Sequence, residues 1–205
     1  MKRLALLFLL IMTVALTAPG TDADENEENV GTGWYKTQVG TGIGNCGPAS
    51  AAMGIKWSTG DEVSVQDVRG FIGYSRPDGS TDFLELCSAL RNYGASYELI
   101  IVSSLTGLKN LIELDDLIAI VLIDTEHIEY DIEKDVLDPK EIFDRNYDYE
   151  VGHYIVLGDV VSNYFVIQDP LPPGENRRYH VEEVWNALRD RRIIVIRNYE
   201  IARGD

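Results

Sequence analysis

The stretch that most constrains this chain runs from Val39 to Met53. Glycines at 40, 42 and 44 form a permissive loop, and Asn45-Cys46-Gly47-Pro48-Ala49-Ser50 follows. Small and apolar residues then continue at helical spacing, with Ala49, Ala52, Met53 and Trp57 on one face. The pattern sets Cys46 at or just before a helix N-terminus. Unpaired backbone N–H groups and the helix dipole favour negative charge there. A thiolate is the reactive form of cysteine, and such a position lowers a thiol pKa. Any fold this chain adopts must therefore hold that sulfur at the mouth of a helix.

The chain on either side reads as helices first and strands later. The first helix extends to about Trp57 and ends at Ser58-Thr59-Gly60-Asp61. Ser64 is the expected N-cap of a helix over Val65–Ile72, with Asp67 in the reciprocal capping position. Ser75–Ser80 reads as a turn. Thr81 is the expected cap of a third helix over Asp82–Tyr93, closed by Gly94. Tyr97–Val102 reads as a strand, Ser104–Leu114 as a helix, and the apolar run Leu117–Ile123 as a buried strand. His153–Val161 and Tyr164–Gln168 flank the turn Ser162-Asn163 and read as a hairpin. Leu171–Gly174 is a proline loop, Val181–Leu188 a helix and Arg192–Arg197 a last strand. The order predicts an α+β fold with N-terminal helices packed on a C-terminal antiparallel sheet.

Composition narrows the function. The chain has 205 residues, 45% of them hydrophobic, enough for one domain with a substantial core. Its formal net charge of −16 argues against a nucleic-acid partner and against docking on anionic lipid. Lys2 and Arg3 precede an apolar run from Leu4 to Ala18, the pattern of a signal peptide. Residues 1–18 are expected to be that signal, 19–33 an acidic disordered leader, and 34–205 the functional domain. A secreted or cell-envelope location follows, with no stable membrane insertion once the signal is removed; an uncleaved N-terminal anchor is the alternative. Asp124–Glu150 carries eleven acids against Lys134, Lys140 and Arg145. It reads as a solvated surface excursion or as a flap beside the site, and its spacing matches no calcium loop.

Only two cysteines are present, Cys46 and Cys87. Export permits a disulfide between them. Cys87, however, falls on the apolar side of its helix with Phe83, Leu86 and Leu90, as a buried core residue does. A free Cys46 needs a base, and that base needs an orienting group. His127 lies among carboxylates and His180 begins a helix. His153 starts a strongly patterned strand, and Asp169 follows the end of its hairpin partner. Antiparallel pairing brings the start of one beside the end of the other. The backbone N–H of Cys46 and the side-chain amide of Gln38 are the candidate donors for an oxyanion.

Gln38, Asn45-Cys46-Gly47-Pro48-Ala49-Ser50, Gly152-His153-Tyr154 and Gln168-Asp169-Pro170 together resemble the papain-like cysteine peptidases of the double-glycine, bacteriocin-processing type. The likeness is to their stand-alone relatives and spans about Trp34 to Arg197. It implies a papain-like fold, with Cys46 as nucleophile, His153 as base, Asp169 as its orienter and Gln38 in the oxyanion hole. It implies a peptide or protein substrate and no cofactor or metal. The bacteriocin-processing members carry transporter domains that this sequence does not contain, so the resemblance does not extend to a Gly-Gly cleavage preference. A monomeric, secreted thiol peptidase or amidase is the expected function. An acyltransferase or cross-linking enzyme on the same triad, and a non-catalytic secreted binding module, are the alternatives.

Overall fold

The computed structural model describes residues 33–42, 44–74, 79–128, 152–171 and 174–198. The expected signal segment 1–18, the leader up to residue 32 and residues 129–150 of the acidic segment lie outside the described residues.

Helix α1 (Cys46–Thr59) is the centre of the structure. Ala49, Ala51 and Ala52 favour the helix and allow close approach. Gly60, at φ 78°, takes the left-handed conformation that ends it. Nine of its residues are buried. A helix apolar nearly all round must be covered on both sides, and α1 lies between the sheet and helices α2 (Val65–Ile72) and α3 (Phe83–Asn92). The expected capping box of α2 is present: Asp67 N–H donates to Ser64 Oγ at 3.0 Å, and Ser64 N–H donates to Asp67 Oδ2 at 3.2 Å. In α3 the cap is Asp82 and not Thr81. Glu85 stands at the reciprocal position, and both bonds of that box form. Thr81 is buried, and its carbonyl accepts from the Tyr154 hydroxyl at 3.2 Å.

The remaining elements are β1 (Tyr97–Ile101), α4 (Leu105–Ile112), β2 (Leu117–Asp124), β3 (Gly152–Val161), β4 (Tyr164–Gln168), β5 (Arg177–His180), α5 (Val181–Ala187) and β6 (Leu188–Arg197). They form one six-stranded sheet in the order β1-β6-β2-β3-β4-β5, antiparallel throughout. Its two faces are covered by different helices. Ile118, Ile120, Tyr154, Val156, Ile194 and Ile196 pack with α1 and α3. Ala119, Val121, Ile155, Leu157, Phe165 and Ile193 pack with α4 and α5. Burial on both faces explains why Leu117–Ile123 is apolar without alternation.

Two further features differ from the sequence expectations. Strand β5 (Arg-Arg-Tyr-His) has no apolar alternation, and it forms because β4 supplies its ladder: Phe165 pairs with Tyr179. Strand β6 begins at Leu188, four residues before the expected Arg192. Its register breaks between the Val121–Ile193 and Ile123–Leu188 pairs, where Asp190 and Arg191 take positive φ.

Candidate active site

Cys46 is the first residue of α1 and Asn45 is its N-cap. An N-cap side chain normally accepts from the backbone two or three residues on. Three residues on is Pro48, which has no N–H. Two residues on is Gly47, whose N–H is directed at the Cys46 sulfur. The Asn45 side chain makes no cap bond and turns back into the glycine loop. Its amide donates to the Thr41 carbonyl and to Thr41 Oγ1. Thr41 in turn donates to the Gln38 carbonyl from its N–H (3.1 Å) and its hydroxyl (2.6 Å). The local sequence thus leaves the Gly47 N–H to the sulfur.

Close packing delivers the sulfur to the sheet. A Cβ at Gly47 would lie 3.2 Å from Thr81 Cβ and 3.2 Å from the Tyr154 ring, so glycine lets α1 start hard against β3. The thiol then hydrogen-bonds with the His153 side chain and with the backbone N–H of Tyr154. His153 is 2% exposed. Its Nε2 lies 2.7 Å from Asp169 Oδ1, which leaves Nδ1 as the nitrogen toward Cys46. Asp169 is fully buried. Its Oδ1 also accepts from the Leu171 N–H at 2.9 Å and its Oδ2 from the Tyr179 hydroxyl at 3.3 Å. Asp169 therefore both forms the turn before Pro170 and orients the imidazole.

The electrostatics favour a thiolate–imidazolium pair. Burial raises the Cys46 pKa, but the hydrogen bond and charge of His153, with the Tyr154 and Gly47 N–H groups, outweigh it and hold the thiol below its ordinary value. Burial likewise disfavours charge on His153. The Asp169 carboxylate and the Cys46 sulfur overcome that and push its pKa up to about 10.

Gln38 reaches the site through the backbone. Its N–H donates to the Pro170 carbonyl at 2.9 Å, and Thr37 Oγ1 donates to the same oxygen at 3.1 Å. The Gln38 side-chain oxygen is buried and has no hydrogen-bond partner among the described residues. Cys46, His153 and Asp169 are thus in one contact chain, with Gln38 tied to the loop that follows Asp169.

The other candidates fall elsewhere. Both cysteines are free thiols, and Cys87 is buried in α3. His127 is half exposed beside Glu126 at 3.3 Å. His180 caps α5 and packs edge-on against Tyr164. No cluster of metal-ligating side chains occurs among the described residues. No helix among them is long and apolar enough to cross a membrane.

Two residues at the site were not singled out by the sequence reading. Tyr179 lies on β5, whose polar sequence hid the strand. Arg69 does carry a signal. Val65, Val68, Arg69 and Ile72 follow the spacing of a buried helical stripe, and a cation on such a stripe must have internal partners.

Helices against an antiparallel sheet, with Cys46 at the start of the central helix and His153 on a strand, define a papain-like cysteine peptidase fold. Solved structures with this fold include peptidase domains and a C39-like peptidase. The peptidase domain of Streptococcus ComA, a bifunctional ABC transporter involved in a quorum-sensing pathway, is 19% identical, with a TM-score of 0.56 over 80% of this chain and 97% of that one. A Bacillus anthracis protein described as a C39-like peptidase is 13% identical, with a TM-score of 0.55 over 79% and 92%. The peptidase domain of Streptococcus mutans ComA is 17% identical, with a TM-score of 0.50 over 78% and 97%. No protein-family model matches the sequence, and no curated protein matches it. At these identities the likeness establishes the fold.

Proposed function

We propose that this protein is a cysteine peptidase or amidase that cleaves peptide or amide bonds through Cys46, His153 and Asp169. The observation that carries the reading is the position of His153, buried and bonded on one side to the Cys46 thiol and on the other to Asp169. The Cys46 thiolate attacks the carbonyl carbon. The backbone N–H of Cys46 and the Gln38 side-chain amide donate to the oxyanion. The His153 imidazolium gives its proton to the leaving amine, and the C–N bond breaks. His153 then takes a proton from water, which attacks the thioester, and the C–S bond breaks to release the acid and restore the Cys46 thiolate beside the imidazolium. Asp169 keeps the ring in place through both steps.

The protein acts outside the cytoplasm on this reading, which rests on Lys2, Arg3 and the apolar run Leu4–Ala18. The N-terminal residue of protein recovered from the producing cell, and its compartment, test that part.

The chemistry is tested with reduced protein, an iodoacetamide probe and a peptide library read by mass spectrometry. Cys46 is labelled, peptides are hydrolysed, and both signals vanish in Cys46→Ala. Equal labelling of the two proteins, or labelling confined to Cys87, overturns the reading. Conjugates formed with added amines, in place of acid products, assign acyl transfer instead.

A further inference from the structure

Arg69 is 3% exposed. Its Nε donates to Asn45 Oδ1 at 2.6 Å, and its Nη2 to the carbonyls of Gly44 (2.6 Å) and Gly79 (2.9 Å). Nη1 reaches the Gly73 carbonyl at 3.2 Å. The Tyr74 ring covers the guanidinium, with its centroid 5.0 Å away. All four acceptors are neutral, so these bonds satisfy the donors without cancelling the charge. Two of the four belong to Gly44 and Asn45, the residues directly before Cys46. The other two belong to Gly73 and Gly79, and Gly79 lies so close to Gly44 that a Cβ on Gly44 would be 2.5 Å from the Gly79 carbonyl oxygen.

We propose that Arg69 is a positioning residue for the nucleophile. Its planar fork clasps the Gly44–Asn45 turn onto Gly73 and Gly79, fixing the Cys46 sulfur and N–H. This rests on the peptidase reading of the same site. Asn45 is the link. Its amide nitrogen is held by Thr41 and its oxygen by Arg69, so its side chain is fixed at both ends. Burial lowers the Arg69 pKa, and the charges of Tyr74, Cys46 and Glu85 act in the opposite direction. The groups that act on the sulfur itself are His153 and the N–H groups of Tyr154 and Gly47. A lysine would keep the charge and lose the fork, because an ammonium cannot span four acceptors in one plane.

Two probes separate the state of the thiolate from the geometry of the oxyanion site. Iodoacetamide reacts with the thiolate and forms no oxyanion. p-Nitrophenyl acetate forms an S–acyl bond to Cys46 and expels p-nitrophenolate through an oxyanion. In Arg69→Met, alkylation at pH 7 is expected to stay near wild type, because His153 and the Tyr154 and Gly47 N–H groups still hold the thiolate. Acylation is expected to fall on the order of 10²-fold. In Arg69→Lys, alkylation stays near wild type while acylation still drops on the order of tenfold. Arg69→Lys with wild-type acylation overturns the positioning role, even if Arg69→Met fails to fold. A folded Arg69→Met with wild-type acylation overturns it as well. A wild-type protein whose Cys46 ignores both probes overturns the peptidase reading instead.

Discussion

His153 Nε2 lies 2.7 Å from Asp169 Oδ1, and a single extra residue in β3 makes that contact attainable. The hairpin closes with Val161 opposite Tyr164. Continued without a break, that register would set Asp169 opposite Val156, whose side chain packs toward α1 with Tyr154. The pairing shifts between Leu157 and Asp159, so Gly158 is left over and Val156 faces Gln168. The next position sets Asp169 opposite Ile155. A one-residue slip moves a side chain to the other face of a strand pair. Asp169 thereby falls on the side shared by Ile155 and His153, one diagonal step from the imidazole.

Replacing Asp169 with Asn keeps the size of the side chain and an acceptor for the Leu171 N–H, but removes the charge. That charge is the main influence raising the His153 pKa against burial. The imidazole is then expected to be neutral at pH 7 and the thiolate fraction to fall. Peptide hydrolysis should drop on the order of 10²–10⁴-fold, the range for a general acid–base group. Hydrolysis and iodoacetamide rates measured on the same preparation check it, and unchanged values for both would remove Asp169 from the mechanism.

The pH dependence follows from two opposite shifts. His153 titrates at about 10 against an ordinary 6.5, so its stabilisation is complete below about 6.5 and is lost as pH rises through about 10. Cys46 titrates below its ordinary 9.0, so its stabilisation is present above 9.0 and is lost as pH falls through its folded pKa. Alkylation of Cys46 should therefore plateau below pH 9.0, while Cys87, whose thiol is pushed up by burial, reacts only above it. His153→Ala leaves the sulfur buried without its partner, and the Cys46 midpoint should rise. A wild-type midpoint at or above 9.0 contradicts the ion pair.

The sequence made the nucleophile and the hairpin readable because both are local. Cys46 sits between glycines and a helical run, and His153 and Asp169 lie on segments joined by a two-residue turn. The Gly158 bulge was not readable: a glycine within an apolar strand does not say whether it pairs. Strand β5 was missed because its ladder comes from β4 and not from its own side chains. The sequence does not separate Thr81 from Asp82 as the cap of α3, because both are good caps. Only the structure shows that the Thr81 backbone instead receives the Tyr154 hydroxyl. Arg69 was readable as a cation on an apolar stripe, but its partners are carbonyls, which carry no sequence signature.

Tyr179→Phe is expected to be mild. The phenol donates one 3.3 Å bond to Asp169 Oδ2, while Oδ1 keeps both Leu171 and His153. Loss of one neutral donor to a charged acceptor costs about 1–3 kcal/mol at most. Hydrolysis should fall less than in Asp169→Asn, with the alkylation midpoint of Cys46 moved only slightly. Losses equal to those of Asp169→Asn would make Tyr179 an equal partner in orienting the ring.

The seating of α1 on the sheet can be tested away from the site. Gly54 is buried on α1, and a Cβ there would overlap Ile196 Cδ1 on β6, with Leu90 Cδ2 at 3.4 Å and Ile120 Cδ1 at 3.7 Å. Gly54→Ala gains about 1 kcal/mol of helix propensity and loses about 1–3 kcal/mol to overpacking. Ile196→Val removes the obstructing methyl group and alone costs about 0.5–1.5 kcal/mol. In the double variant the new methyl occupies the space vacated by the old one. Its stability should exceed the sum of the single effects by about 1 kcal/mol or more, above the ~0.5 kcal/mol scatter of independent sites. Urea unfolding of the four proteins measures this. Because α1 carries Cys46 at its first turn, Gly54→Ala should also slow Cys46 acylation, and Ile196→Val should restore it. Additive stabilities with unchanged acylation would mean that the approach of α1 to β6 does not set the position of the sulfur.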